Sequence, residues 1–89
     1  MKVKIYSTPS CPWCHKAKEF FKENKIEFED VNVAEDQDAA KEMIEKSGQQ
    51  GVPVIDIDNH IVIGFNESKL RELLNLNWDG NNYLYNSYL

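Results

Sequence analysis

Cys11-Pro12-Trp13-Cys14 is the stretch around which this 89-residue chain is organised. It holds both cysteines of the chain and stands between a strand-like segment and a helix-like segment. Two cysteines at this spacing and in this position are typical of a dithiol that opens and closes as a disulfide. The same spacing also occurs in half of a zinc site, so the rest of the chain has to distinguish the two interpretations.

The segments on either side of the motif predict a strand followed by a helix. Val3 and Ile5 alternate with polar residues, as in a short strand. Pro12 is favoured at the first position of a helix, and Ser10 or Cys11 is a suitable cap for it. Helical spacing then places one apolar stripe toward the core, made of Ala17, Phe20 and Phe21.

A second strand and a second helix follow. Residues 26–33 alternate between apolar and polar side chains, with a shift of phase near Asp30. The acidic residues between 35 and 38 favour the start of a helix, because the helix dipole stabilises negative charge there. Gly48 is suited to the end of that helix, whose inner face is expected to carry Ala40, Met43, Ile44 and Ser47.

The last elements are a hairpin and a third helix. Residues 52–57 and 60–63 form two apolar runs joined by Asp58-Asn59, a pair typical of a tight turn. Asn66 is a suitable cap for a final helix that turns Leu70, Leu73 and Leu74 inward. The order βαβαββα predicts an α/β fold with a four-stranded mixed sheet flanked by three helices.

Residues 77–89 differ in composition from the domain that we expect at residues 1–76. They are rich in asparagine, tyrosine and tryptophan and show no clear period. One interpretation is a terminal tail that frays or lies over the core. The other is a contact surface, because tryptophan and tyrosine are enriched in interfaces. Both interpretations stay open at this point.

Composition and charge exclude several classes of protein. The charged fraction of 28% is that of a globular protein, and the net charge of -5 argues against a nucleic-acid partner. No apolar stretch approaches the roughly 20 residues of a membrane span, and no signal-peptide segment follows the N-terminal lysines. We therefore expect a cytoplasmic protein without a membrane partner, and we expect a monomer. In a reducing compartment a C-x-x-C pair is more often catalytic or metal-binding than structural.

The two cysteines are expected to have different roles. Positions three apart in a helical turn lie about 5–6 Å from each other, which is within reach of a disulfide. Cys11 precedes the first turn, where unpaired N–H groups and the helix dipole stabilise an anion, whereas Cys14 lies inside the turn and is more covered. Cys11 is therefore predicted to attack a substrate disulfide as a thiolate, and Cys14 to resolve the mixed disulfide by attacking Cys11.

The neighbours of the cysteines suggest supporting roles. Pro12 removes a backbone donor and fixes the turn. Trp13 is expected to be an exposed aromatic that contacts the partner, with a packing residue as the alternative. Zinc needs four ligands, and His15 and His60 are the remaining candidates in the sequence, so no metal site is expected. His15 is better suited to modulating the local field than to acting as a base.

Three motifs resemble those of glutaredoxin-like proteins of the thioredoxin superfamily: the run from Tyr6 to Lys18, Gly51-Val52-Pro53-Val54, and Gly64-Phe65. The resemblance covers residues 2 to about 75 and implies the thioredoxin fold. It also implies that Pro53 is a cis proline facing the motif, and that the backbone of Val52 pairs with a bound partner as an added strand. The implied activity is thiol–disulfide exchange with protein disulfides. The disulfide of the motif is then the redox group, with no tightly bound cofactor.

The chain departs from glutaredoxins that use glutathione at three places. Those proteins usually carry a lysine where Thr8 stands and a threonine where Gly51 stands. They also carry two glycines and an acidic pair where this chain has Ile63-Gly64-Phe65-Asn66-Glu67. In these respects the chain looks more like the NrdH-redoxin type, which resembles glutaredoxins in sequence but is reduced by a thioredoxin reductase.

A groove beside the dithiol, for a substrate or for glutathione, is expected at Thr8, Val52, Gly64, Phe65 and Asn66. Gly64 and Asn66 stand at the start of the last helix, where backbone N–H groups suit a carboxylate. The resemblance implies either thioredoxin reductase or glutathione as the electron donor. A glutathione-dependent glutaredoxin that also removes glutathione from proteins is the alternative within this class. A binding module is a further alternative: a metal carrier, or a dimer that ligates an iron–sulfur cluster through Cys11 and an outside thiol, although Pro12 directly after that cysteine is unfavourable for the cluster.

Overall fold

Seven elements follow one another in the order that the sequence predicts. They are seen in a computed structural model that describes residues 1–75, so the predicted tail at 77–89 lies outside the described residues. In chain order the elements are β1 (Val3–Ser7), α1 (Pro12–Glu23), β2 (Glu29–Asn32), α2 (Gln37–Ser47), β3 (Val54–Ile57), β4 (His60–Ile63) and α3 (Glu67–Leu74).

The four strands form one mixed sheet in the order β2-β1-β3-β4. β1 runs parallel to β2, with Ile5 opposite Asp30, and antiparallel to β3, with Ile5 opposite Ile55. β4 pairs with β3 as a hairpin. Because β1 and β2 are parallel, their carboxyl ends lie at the same edge of the sheet, where α1 begins. The fold therefore places the cysteine motif at the kind of edge where α/β proteins bind their ligands.

Each face of the sheet carries its own apolar core. The first core includes residues of α1 and α3, and its buried members are Val3, Ile5, Ala17, Phe20, Phe21, Ile55, Ile57, Val62, Leu70 and Leu74. The second core includes a residue of α2 and is smaller, with Tyr6, Met43 and Val54 buried. The phase shift predicted near Asp30 is a change of face, since Phe28 packs against the first core and Val31 against the second.

Local sequence signals set the ends of the helices. Asp36 caps α2 by accepting the N–H of Ala39 at 3.1 Å. Gly48 ends α2 with a φ of 75°, a left-handed conformation that glycine adopts without a steric cost. Asn66 caps α3 by accepting the N–H of Lys69 at 3.2 Å. The predicted ends at Gly48 and Asn66 are thereby confirmed.

The predicted inner face of α2 is wrong in part. Met43 is buried as predicted, but Ile44 is 39% exposed, and Ala39 is buried in place of Ala40. Ser47 is half-buried. The inward stripe runs through positions 39 and 43, which lie four apart on one face of the helix. A pattern of apolar residues alone does not fix this phase, because Ile44 adds an apolar side chain on the neighbouring face.

β3 is shorter than predicted, since it begins at Val54 and not at Val52. Pro53 has no N–H to donate to a neighbouring strand, which ends the ladder there. The Val52–Pro53 peptide bond is cis, as the resemblance implies. The predicted turn at Asp58-Asn59 is confirmed, with φ angles of 49° and 74°, a combination typical of a type I′ hairpin.

A polar cluster joins α2 to the sheet. Tyr6 is buried, and its hydroxyl donates to Glu42 Oε1 at 2.8 Å and accepts from Lys46 Nζ at 3.2 Å. Lys46 Nζ also lies 2.8 Å from Oδ2 of Asp56, which is 7% exposed. Burial and the hydrogen bond with Glu42 raise the pKa of Tyr6, and the hydrogen bond with Asp56 raises the pKa of Lys46. Paired charges therefore hold α2 in place in addition to its apolar contacts.

Candidate active site

Cys11 lies at the point where the loop after β1 becomes α1. Its side chain caps the helix, because the N–H of Cys14 donates to the Cys11 sulfur at 3.1 Å. The N–H of Cys11 donates to the Thr8 carbonyl at 3.4 Å, and the Cys11 carbonyl accepts the N–H of His15 at 3.2 Å. Of the two caps that the sequence offers, Ser10 and Cys11, the structure has Cys11. A helix N–H aimed at the sulfur stabilises a thiolate at this position.

Cys14 is buried one turn further along, with no exposed surface, whereas Cys11 is partly exposed. Burial raises the pKa of the Cys14 thiol to about 11, and the hydrogen bond with Cys11 and the charge on Cys11 add to this effect. A hydrogen bond with the backbone of Thr8 and the positive charge of Lys18 act in the opposite direction. Cys14 therefore keeps its proton at neutral pH, and Cys11 is the sulfur that solvent reaches.

A shallow hollow of about 250 Å³ opens beside the motif. It is lined by Trp13, Val52, Pro53, Gly64 and Phe65. The Val52 carbonyl lies 3.8 Å from the Cys11 sulfur, so the segment before Pro53 faces the motif. Three of the five predicted groove residues line the hollow, and the other two, Thr8 and Asn66, do not.

Trp13 forms one wall of the hollow and is 57% exposed, which confirms the predicted exposure of this side chain. The centroid of its ring lies 6.5 Å from that of Phe65. Lys16 Nζ lies 5.1 Å from the centroid of the Trp13 ring, a distance at which the ring attracts the cation. The wall thus combines an aromatic surface with a positive charge beside it.

The start of α3 offers less to a carboxylate than the sequence suggests. The N–H of Gly64 donates to the Pro53 carbonyl at 2.8 Å, so the expectation that Gly64 presents a free N–H is wrong. The Asn66 side chain accepts the N–H of Lys69 and in this way occupies a donor of the first turn. Glu67 adds a negative charge to the same turn. A bound carboxylate would meet this charge.

Sequence reasoning missed one cluster near Cys14. Lys18 Nζ lies 2.8 Å from Asp30 Oδ2, and the Ser7 hydroxyl donates to Oδ1 of the same carboxylate at 2.8 Å. Burial acts to raise the pKa of Asp30, but the hydrogen bonds from Lys18 and Ser7 outweigh it, and the pKa is lowered. Lys18 stands four residues after Cys14, a spacing that is visible in the sequence. Its partner emerges only from the pairing of β1 with β2.

His15 is held by the loop before the motif. Its Nε2 donates to the Pro9 carbonyl at 2.9 Å, so this nitrogen is not directed at either cysteine. Within residues 1–75, no three His, Cys, Asp or Glu side chains lie together in a way that could hold a metal ion. In that part of the chain no helix combines the length and the apolar character needed to cross a membrane.

Comparison with known proteins gives one consistent relationship. Residues 3–62 match the family model described as Glutaredoxin. An uncharacterized glutaredoxin-like 8.6 kDa protein in the rubredoxin operon of Clostridium pasteurianum is 53% identical over 72 residues. The matched region covers 81% of this chain and 96% of that protein.

Two solved structures extend the relationship to the fold. A thioredoxin-like protein, crystallised as a threonine-to-alanine mutant, superposes with a TM-score of 0.80 at 35% identity and covers 84% of this chain and 96% of its own. The NrdH-redoxin from Escherichia coli, a glutaredoxin-like protein described as having a thioredoxin-like activity profile, gives a TM-score of 0.74 at 26% identity. That match covers 82% of this chain and 95% of the other. These likenesses confirm the predicted thioredoxin fold.

Proposed function

The chain belongs to the glutaredoxin family, and we propose that it is a dithiol oxidoreductase that carries electrons to disulfides in other proteins. One observation carries the proposal: Cys11 is a partly exposed sulfur that accepts an N–H of the first turn of α1, and Cys14 is buried directly behind it. A sulfur in this position has the exposure and the hydrogen bond that a nucleophilic thiolate requires.

In the first step the Cys11 thiolate attacks one sulfur of a substrate disulfide. A bond forms between Cys11 and that sulfur, and the second substrate sulfur leaves as a thiolate. The N–H of Cys14, 3.1 Å from the Cys11 sulfur, stabilises the thiolate before it attacks. The product of this step is a mixed disulfide between Cys11 and the substrate.

In the second step Cys14 attacks Cys11 and releases the substrate. Burial keeps the pKa of Cys14 high, but the hydrogen bond and the charge of Cys11 contribute part of the rise. Both contributions end when Cys11 is bonded to the substrate, so Cys14 then loses its proton more readily. Its thiolate forms the Cys11–Cys14 disulfide, and the substrate sulfur leaves as a thiolate that takes up a proton. Two electrons have passed from the protein to the substrate.

The hollow beside Cys11 is proposed as the place where the substrate lies. The Val52 carbonyl, 3.8 Å from the Cys11 sulfur, belongs to the segment that precedes β3, and the backbone of Val52 is proposed to pair with an extended chain as an added strand. Trp13 and Phe65 offer an apolar surface to a side chain next to the substrate disulfide. A protein disulfide in an extended, apolar segment therefore fits the site.

We propose thioredoxin reductase as the electron donor, with glutathione as the alternative. Proteins of the glutaredoxin and NrdH types use one of these two donors. The engaged N–H of Gly64 and the charge of Glu67 give a glutathione carboxylate little to bind at the start of α3. The likeness to the E. coli NrdH-redoxin supports the same choice.

The proposed donor is tested in two reactions that differ only in the system that supplies the electrons. One reaction contains NADPH and thioredoxin reductase, and the other contains NADPH, glutathione reductase and glutathione, each with insulin as the disulfide substrate. We expect NADPH oxidation that depends on this protein in the first reaction and little in the second. Turnover in the second reaction alone contradicts the proposed donor, and Cys11→Ser is the inactive control in both reactions.

The redox group is the disulfide of the motif, without a tightly bound cofactor. We propose that the functional unit is the domain at residues 1–76, acting in the cytoplasm as a monomer. Sedimentation of the reduced and oxidised protein tests the monomer, and a mass of two chains in either state contradicts it.

A further inference from the structure

A partly buried ion pair lies on the same face of α1 as the resolving cysteine. Lys18 follows Cys14 by four residues, so the Cβ atoms of the two side chains are about 6 Å apart. Cys14 has no exposed surface, and the side chain of Lys18 is only 16% exposed. The ammonium group is held at Asp30 on β2 in a partly buried position, where solvent screens charge less than it does at the surface. Its positive charge acts on Cys14.

Two strands hold the partner of this lysine. Asp30 is on β2, opposite Ile5 of β1, and Ser7 is the last residue of β1. One carboxylate oxygen of Asp30 is 2.8 Å from Lys18 Nζ, and the other accepts the buried Ser7 hydroxyl at 2.8 Å. Both oxygens of Asp30 are thus occupied, and the carboxylate is fixed against the lysine.

We propose that Lys18 and Asp30 are positioning residues for the second step of the reaction: the balance of their charges sets how readily the Cys14 thiol gives up its proton. The inference rests on the proposed function, in which Cys14 resolves a mixed disulfide on Cys11. Lys18 favours the Cys14 thiolate, and Asp30 cancels part of that effect. Ser7 keeps Asp30 in the position where it does so.

The other groups around Cys14 do not compete with Lys18 for this role in the second step. On α1, Cys11 loses its charge when it forms the mixed disulfide, and His15 acts on Asp30 and is bonded to the Pro9 carbonyl. β1 presents the uncharged Ser7. The segments at 52–53 and 64–65 carry no titratable side chain. The positive charge of Lys18 acts on Cys14 and remains after the first step, with Asp30 paired to it.

The step balances without a further reactant. The S–H bond of Cys14 breaks and its proton passes to solvent. The resulting thiolate forms a bond to the Cys11 sulfur while the bond between Cys11 and the substrate breaks, and the substrate thiolate takes up a proton. The two cysteine sulfurs are oxidised to a disulfide, and the substrate disulfide is reduced to two thiols.

The reduced full-length protein and the aromatic disulfide 5,5′-dithiobis(2-nitrobenzoate) provide the test. Cys11 releases one coloured thiolate when it attacks the reagent, and Cys14 releases a second when it resolves the adduct. Stopped-flow absorbance therefore separates the two steps as two phases of equal amplitude. The rate of the second phase, measured across a range of pH, reports the thiolate fraction of Cys14.

Removal of the positive charge and removal of the negative charge are expected to change the rate of the second phase in opposite directions. Lys18→Gln is expected to slow it about threefold at neutral pH and to move its half-maximal pH upward. The change in rate is smaller than the change in thiolate fraction, because a more basic thiolate is also a better nucleophile. Asp30→Asn leaves the positive charge unbalanced and is expected to speed the phase and to move its half-maximal pH downward. A loss of structure would slow the phase in both variants.

Two further variants keep the test independent of folding. Lys18→Arg retains the charge and should retain the wild-type rate, and Lys22→Gln removes an exposed lysine one turn further along α1 and should change nothing. The inference is overturned if both charge variants shift the pH profile in the same direction, or if neither shifts it. If the wild-type protein releases a single thiolate, the proposed function itself fails, which is a distinct result.

Discussion

At the scale of single residues, helix position and burial give two similar sulfurs opposite properties. Cys11 accepts an N–H of the first turn and is partly exposed, whereas Cys14 has no exposed surface. The roles proposed for the two cysteines therefore need no dedicated base. The nearest histidine, His15, is bonded to the Pro9 carbonyl.

We predict that brief treatment of the reduced protein with iodoacetamide at neutral pH modifies Cys11 and leaves Cys14 unmodified. Burial blocks access to Cys14 and raises its pKa to about 11, so its reactive thiolate is scarce at neutral pH and increases as the pH rises toward that value. Peptide mass spectrometry identifies the modified residue. Both cysteines should react in the urea-unfolded control, and equal modification in the folded protein contradicts the prediction.

At the scale of the elements, each helix is held to the sheet in a different way. α1 depends on its apolar stripe in the first core, and α3 combines leucines in the same core with the cap at Asn66. α2 has a smaller core and relies in addition on the polar cluster of Tyr6, Glu42, Lys46 and Asp56. The stability of α2 should therefore be the most sensitive to charge.

Lys46→Met is expected to lower the free energy of unfolding by about 2 kcal/mol, because Asp56 then stays buried without its cation. The hydrogen bond with Asp56 raises the pKa of Lys46. The contribution of Lys46 to the free energy of unfolding is therefore fully present below the ordinary lysine pKa, and it is lost as the pH rises through the raised pKa. Urea unfolding at neutral and at strongly alkaline pH measures both effects. Lys41→Met, on the same helix but outside the cluster, is the control, and an equal loss in that variant contradicts the prediction.

Asn66→Ala is expected to lower the free energy of unfolding by about 1 kcal/mol, because the first turn of α3 loses the side chain that accepts the N–H of Lys69. The rate at which Cys11 attacks a small disulfide should stay unchanged. Urea unfolding and a thiol assay on the same sample test the two statements together. Ser68→Ala, at an exposed position on α3, is the matched control. A stability equal to that of the wild type argues against the cap.

At the scale of the whole molecule, short-range patterns predict the order of the elements and the position of the dithiol. The helix start at Pro12, the turn at Asp58-Asn59 and the end at Gly48 all depend on residues within a few positions, so they are visible in the sequence. Features that depend on strand pairing are not visible in the sequence. The contact of Lys18 with Asp30 requires the register of β1 on β2, and the occupied N–H of Gly64 requires the position of Pro53.

The trapping of a mixed disulfide tests the central claim most directly. Cys14→Ser protein is mixed with an oxidised protein substrate such as insulin, and the products are separated without reducing agent and identified by mass. We predict a covalent adduct through Cys11 that a reducing agent cleaves, and we predict no adduct with Cys11→Ser protein. If Cys14→Ser protein forms no adduct while Cys11→Ser protein still reduces the substrate, the assignment of attacking and resolving cysteines is contradicted.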